Sequence, residues 1–137
     1  MAEMLETTAI LTEATPRSFV IIDGIGHRTA PEDGTAMSFA CLHHLHYHNW
    51  CRMLFATNFH ALADMTRDFE ALGRYYADIK ETPSDSFYFV YRLRKGINCK
   101  PHALKVAHLA VLPLKTIELA RRVQDRLKGR ADSKEGS

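Results

Sequence analysis

The sequence predicts an α/β layer carrying a β-hairpin and a two-helix C-terminal extension. Three observations predict it. Ser18–Ile22 is an unbroken β-branched and aromatic run ending at Asp23, as expected for a strand buried on both faces of a parallel sheet. A second apolar run, Arg52–Ala56, follows a helical stretch and ends in Ala-Thr. From His102 to about Leu127 the pattern is helical, interrupted at Leu112-Pro113.

The elements follow in order. Residues 2–14 place Met4, Leu5, Ala9 and Ile10 at three-to-four spacing, a short amphipathic helix. Thr15-Pro16 ends it, because a residue before proline avoids the helical region. Residues 23–32 form a Gly-rich loop, and Asp33 is the expected N-cap of a helix reaching about His48. Asn49-Trp50 turns the chain into strand 52–56, and a short helical segment spans His60–Met65. Arg74–Ile79 and Ser86–Leu93 favour strand, and the polar E-T-P-S-D between them makes a hairpin. Proline in the first turn is a start signal for the last helix. A boundary is expected near Lys128, with residues 129–137 a disordered polar tail. No internal repeat is present.

With 137 residues and 46% hydrophobic content, the chain is expected to bury one core. Its net charge of +2 gives no electrostatic case for nucleic-acid binding. The basic residues Arg121, Arg122, Arg126, Lys128 and Arg130 read as the solvated face of a helix. Cys41, Cys51 and Cys99 lack C-x-x-C spacing and suit a reducing compartment, with Cys41 on an apolar helix face. No apolar run approaches a membrane span. The N-terminal M-A-E-M-L-E-T-T carries two acids and no early arginine, unlike a secretory signal or transit peptide. The expectation is an intracellular, soluble protein without membrane contact.

An aspartate at the carboxyl end of a buried parallel strand sits where ligands collect. In nucleotide hydrolases such a residue holds magnesium through water, and a following glutamate positions the attacking water. The alternative is that Asp23 merely caps the next turn. The segments I-I-D-G-I-G-H-R-T-A-P-E-D-G, F-A-T-N-F and H-A-L-K-V-A-H-L-A-V-L-P occur in that order. Together they resemble the MutS mismatch-repair family, whose pattern reads roughly D-E-I-G-R-G-T-S-x-x-D-G, then F-A-T-H-[FY], then S-x-G-x-x-V-A-x-L-A-G-x-P. The likeness runs from Glu3-Met4 to about Leu127. H-Y-H-N-W-C-R-M-L-F-A-T-N-F-H-A-L is similar to the branch that includes organellar homologues, so nucleus or mitochondrion would follow from resemblance.

The resemblance implies a partial P-loop NTPase-like sheet over residues 1–128, with helices on both faces, then the hairpin and a helix-turn-helix at 102–128. It implies ATP and magnesium as cofactors, mismatched DNA as a partner, and a dimer with itself or a MutS homologue. Asp23 matches the magnesium-associated Walker B aspartate, and Thr57 matches the strand-end threonine. Thr29, Ala30 and Pro31 lie in the loop that reaches the partner subunit's nucleotide, and Leu104, Leu109, Leu112 and Ile117 carry the apolar spacing of the dimer contact.

The departures are as specific. Gly24 stands for the glutamate, His27-Arg28 for Arg-Gly, Ala30 for serine and Asn58 for the histidine that senses the terminal phosphate. In the helix-turn-helix, Pro101, Ala103 and Val111 stand for Ser, Gly and Gly. Asparagine can hydrogen-bond phosphate but carries neither proton nor positive charge. No G-x-x-x-x-G-K-[ST] occurs, so the amide cradle and lysine for the phosphates are absent. Family members carry that loop upstream of the position matching Met1. The expectation is therefore the C-terminal part of a MutS ATPase domain without independent ATPase activity. The alternatives are a non-catalytic interaction module that binds a full-length homologue, or a gene remnant. The run H-H-L-H-Y-H puts His44 and His48 four apart, but no acid partner is evident, and the reading is helix-surface histidines with no metal site. His60, two residues past Asn58, would point away from a phosphate.

Overall fold

The computed structural model describes residues 2–82, 87–98 and 113–135. It divides into two compact units, Met1–Arg74 and Tyr75–Ser137. The first runs α1 (Ala2–Glu13), β1 (Phe19–Asp23), α2 (Pro31–His44), a π-helical turn (Leu45–Asn49), β2 (Arg52–Ala56) and α3 (Ala61–Met65). The second holds β3 (Tyr75–Glu81), β4 (Phe87–Lys95) and α4 (Leu114–Glu135).

Strands β1 and β2 pair in parallel, Phe19 opposite Arg52 through Asp23 opposite Ala56. The β-α-β connection through α2 is the expected way to join parallel neighbours. Val20 and Ile22 on one face of β1 are buried with Ile25, Cys41, Leu45 and Cys51, and Ile10, Leu11, Ala14, Met53 and Phe55 pack around them. Burial raises the pKa of the Cys41 thiol, as expected for an inert core cysteine.

The other face of β1 is not buried. Phe19 is 61% exposed, Ile21 65% and Leu54 59%. Expected burial on both faces is thus corrected: the strand alternates, with core residues on one side and exposed apolar residues on the other. The sequence run is apolar on both sides, and among the described residues only one side is covered.

Helix α1 is also phased differently from its apolar spacing. Its protected face is Glu3, Met4, Thr7, Ile10, Leu11 and Ala14, while Leu5 and Ala9 are exposed. Thr7, Thr8 and Thr12 satisfy their hydroxyls by donating to carbonyls four residues back. Helix α2 begins earlier than expected. Ala30 is its N-cap and Pro31 its first residue, so Asp33 lies in the first turn. Proline presets its own helical φ and keeps the preceding residue out of the helical region through ψ, and Ala30 has φ −57° and ψ 143°.

The helix changes to a π turn at Leu45. The buried Asn49 clamps that turn by donating from Nδ2 to the carbonyls of Leu11 (3.0 Å) and Ala14 (2.9 Å). Trp50 then reverses the chain in the left-handed conformation, at φ 55°.

In the second unit β3 and β4 pair antiparallel, Tyr75 opposite Lys95, with an irregularity between Ala77 and Ile79. Arg94 donates from Nε to Asp78 at 2.6 Å, and this hydrogen bond with the carboxylate charge raises the guanidinium pKa. The turn expected at 83–86 and the first helix of the helix-turn-helix, with Leu104, Leu109 and Leu112, lie outside the described residues. Pro113 stands just ahead of α4, its carbonyl accepting from Thr116 and Ile117. The helix continues to Glu135, past the boundary expected near Lys128. Gly129 alone costs about 1 kcal/mol, and the flanking Arg, Ala, Lys and Glu are good helix formers.

One close approach holds the first unit's loops in place. A Cβ on Gly26 would lie 2.6 Å from the Cα of Gly34, and a Cβ on Gly34 would lie 2.7 Å from the Gly26 carbonyl and 2.6 Å from Cζ of Phe59. Gly34→Ala would gain about 1 kcal/mol of helix propensity. It would also force backbone apart, which costs about 1–3 kcal/mol. Because one obstacle is main chain, the steric cost should win, and thermal unfolding should show a Tm several degrees lower. An unchanged or raised Tm would show that the loop yields freely.

Candidate functional site

The carboxyl ends of β1 and β2 are level, because Asp23 and Ala56 are register partners and the Gly24 amide donates to the Ala56 carbonyl at 3.0 Å. This brings together two residues marked in the sequence. Asp23 ends β1 with an exposed side chain, and Thr57 follows β2 directly. The Thr57 hydroxyl accepts from the Phe59 amide at 3.0 Å, turning the chain toward α3. Asn58 is exposed within that turn, and His60 sits at the start of α3.

The loop after Asp23 is tied at several points. The Gly26 amide donates to the Glu3 carboxylate at 2.6 Å, so α1 holds the loop from 23 residues away. No local sequence signal marks Glu3 for this role. Ser38, fully buried in α2, donates its hydroxyl to the Ile25 carbonyl at 3.1 Å. The Thr29 hydroxyl bonds back to the Gly26 carbonyl at 3.2 Å, and Thr29, Ala30 and Pro31 are exposed where the loop enters α2. Ala30 makes no side-chain cap bond. The serine it replaces in the family pattern would carry a capping hydroxyl here, worth about 1 kcal/mol. A serine at this position would thus supply both a loop hydroxyl and a helix cap.

At Gly24 the structure adds what the sequence comparison could not. Gly24 has φ +75°, which disfavours any residue with a Cβ. The space that its side chain would take is filled by the His27 imidazole, whose ring stacks on Phe59 with centroids 5.8 Å apart. Gly24 and His27 are therefore coupled in space. Position 24 offers no carboxylate, and an imidazole lies where its side chain would go.

Two other sequence features are sorted by the geometry. A shallow depression lined by Pro16, Arg17, Ser18, Phe19 and Arg52 lies at the amino ends of the strands, away from Asp23. Ile117 is buried within the chain, whereas Leu119, Val123 and Leu127 form an exposed apolar row on α4 at four-residue spacing. The contact residue that the sequence singles out on this helix is thus part of a core, and the open surface lies on its neighbours. Among the described residues no helix is long and apolar enough to cross a membrane.

Comparison with known proteins bears on the whole of this arrangement. The family description "MutS domain V" matches residues 1–128. The chain is 40% identical over 127 residues to the DNA mismatch repair protein MutS of Cereibacter sphaeroides, covering 93% of the chain and 14% of that protein. It is 40% identical over 133 residues to MutS of a Caulobacter species, covering 97% and 15%, and 36% identical over 123 residues to MutS of Orientia tsutsugamushi, covering 90% and 14%. The chain thus spans about one seventh of these relatives' length. With the strand-end aspartate, the Gly-rich loop and the F-A-T strand in place, the matched region accounts for nearly every described element: this chain belongs to the MutS family, within its domain V.

Proposed function

We propose that the chain supplies the magnesium-side and partner-facing half of a mismatch-repair ATPase site, and that alone it does not hydrolyse ATP. The observation that carries this reading is the strand end itself. Asp23 is exposed beside Thr57 with a carboxylate free to take a water-bridged magnesium ion, while position 24 offers no carboxylate and is filled by His27. The donor set suits the cation and not a nucleotide. No phosphate loop occurs in the sequence, so neither an amide cradle nor its lysine would hold the phosphates. A mismatch-repair role and contact with DNA rest on family membership.

What the chain's own groups can do follows from their placement. Asp23 would orient metal-bound water, and Thr29 to Pro31 would face a nucleotide held elsewhere. Asn58 would hydrogen-bond phosphate without supplying charge. Positioning supplies most of the catalysis of phosphoryl transfer, and nothing here positions a phosphoryl group.

The isolated chain should show no phosphate release above background with ATP and magnesium. Loss of one electrostatic element in such a site commonly costs ~10²–10³ in rate, and here the cradle, the glutamate and the histidine are missing together. Steady turnover that vanishes in Asp23→Ala would overturn the proposal.

Repair of the side chains should not suffice either. The combined change Gly24→Glu, His27→Arg, Arg28→Gly, Ala30→Ser and Asn58→His should remain inactive alone. It should turn over ATP only when the preceding half of a relative's ATPase domain is added in trans, with a rise in Tm on mixing. Activity of the repaired chain by itself would show that the cradle is not what is missing.

A second reading, a non-catalytic contact module, is favoured by the exposed row Leu119, Val123 and Leu127. Exposed apolar rows at helical spacing suit a partner helix. If α4 pairs with a second copy or a homologue, Val123→Asp should shift a dimer to monomer in sedimentation velocity, and Val123→Ala should not. A dimer that survives Val123→Asp would exclude this surface.

A further inference from the structure

The histidine run divides by geometry into two groups. His43 and His46 pack into an aromatic cluster. His43 lies 4.8 Å from Tyr47 and 5.8 Å from Phe69, and His46 lies 4.6 Å from Tyr47 and 5.0 Å from Phe69, ring centre to ring centre. Both rings pack against Phe69 and Tyr47, with His43 still exposed at the surface.

His44 and His48 stand apart from that cluster. Their ring centroids lie 4.5 Å apart, with the planes tilted by 38°. Among the described residues neither imidazole has a hydrogen bond or ion pair with another group. A neutral imidazole has one nitrogen lone pair to offer, and this pair offers two from adjacent positions. Two imidazoles that bind one ion at about 2.0–2.1 Å each hold their ring centres about 4.5 Å apart at a right angle and about 5.2 Å apart at the tetrahedral angle.

The backbone beneath the pair is fixed. His44 ends α2 and His48 lies in the π turn, a form that occurs mostly as single turns and frequently at functional sites. Leu45 is fully buried, and Asn49 is bonded to two carbonyls of the α1 end, so both sides of the turn are anchored. Ligands held on an anchored backbone lose less freedom on binding.

We infer that His44 and His48 form a two-imidazole chelate for a late first-row divalent cation, with the remaining coordination positions open to water. Imidazole nitrogen suits zinc, nickel and copper, whereas magnesium and calcium require oxygen ligands. Such a site is distinct from magnesium at Asp23 and does not depend on the ATPase reading. Among the described residues no cluster of three or more metal-binding side chains occurs, so this is an open site and not a closed structural centre.

The test uses the tag-free full chain titrated with nickel, copper or zinc chloride by calorimetry, with thermal unfolding in parallel. One ion should bind per chain and raise the Tm, since it binds the folded state preferentially. His44→Ala and His48→Ala should each weaken binding about tenfold or more, because one imidazole cannot chelate, and should abolish the Tm rise. His43→Ala and His46→Ala should change the affinity by less than about threefold. Magnesium should leave the Tm unmoved. Absence of binding to all three ions, or equal weakening by all four substitutions, would overturn the assignment.

Discussion

The first unit depends on a passage too narrow for a side chain. Gly26 and Gly34 meet backbone to backbone, and Phe59 closes over Gly34 from the far side. This contact joins three segments far apart in sequence: the loop after β1, the first turn of α2 and the turn after β2. Glu3 binds the Gly26 amide from α1, and Ser38 binds the neighbouring Ile25 carbonyl from α2. The loop therefore has little freedom, and the exposed Thr29, Ala30 and Pro31 are presented from a fixed base. A loop that must reach a neighbour's ligand benefits from such a base, because the ordering cost is met during folding and not at each encounter.

Much of this was legible in the sequence, for reasons that can be named. The parallel pairing of β1 and β2 followed from two apolar runs separated by a helical stretch, and the antiparallel pairing of β3 and β4 from two runs about a polar turn. Asp23 stands out in the sequence because strand ends in such layers gather ligands, and Thr57 only through the family resemblance. The misreadings have physical causes too. Helix α1 keeps Met4 and Ile10 on its protected side but exposes Leu5 and Ala9, because that side also uses Thr7, whose hydroxyl is satisfied within the helix, and Glu3, whose bond to the Gly26 amide only the fold creates. The N-cap was placed at Asp33 by residue type, whereas Pro31 sets the start by backbone geometry. The filling of the Gly24 site by His27 was invisible, because position 24 appeared only as a missing side chain.

The one-sided sheet is the clearest conflict between sequence and described structure. Phe19, Ile21 and Leu54 are of the types expected in a doubly covered strand, yet they are exposed, and β1 and β2 pair only with each other among the described residues. An apolar face of this kind is costly in water, at about 25 cal/mol for each Å² left uncovered. An unpaired strand edge beside it is a template for further pairing. The same residues would be ordinary within a larger sheet. The sequence of the strands is therefore consistent with the short share of its relatives that the chain spans, and the conflict is one of context and not of composition.

The coupling of Gly24 to His27 shapes how the degenerate site must be understood. Counted one by one, the departures from the family pattern look like independent losses. In three dimensions positions 24 and 27 are coupled, since the space a side chain at 24 would take holds the imidazole stacked on Phe59. Phe59 in turn closes on Gly34, so this coupling touches the contact that holds the loop. Substitutions sharing a partner are not additive. A glutamate at position 24 must overcome both an occupied space and a left-handed backbone at φ +75°. A side chain at position 24 is accommodated only if the loop and His27 change in concert.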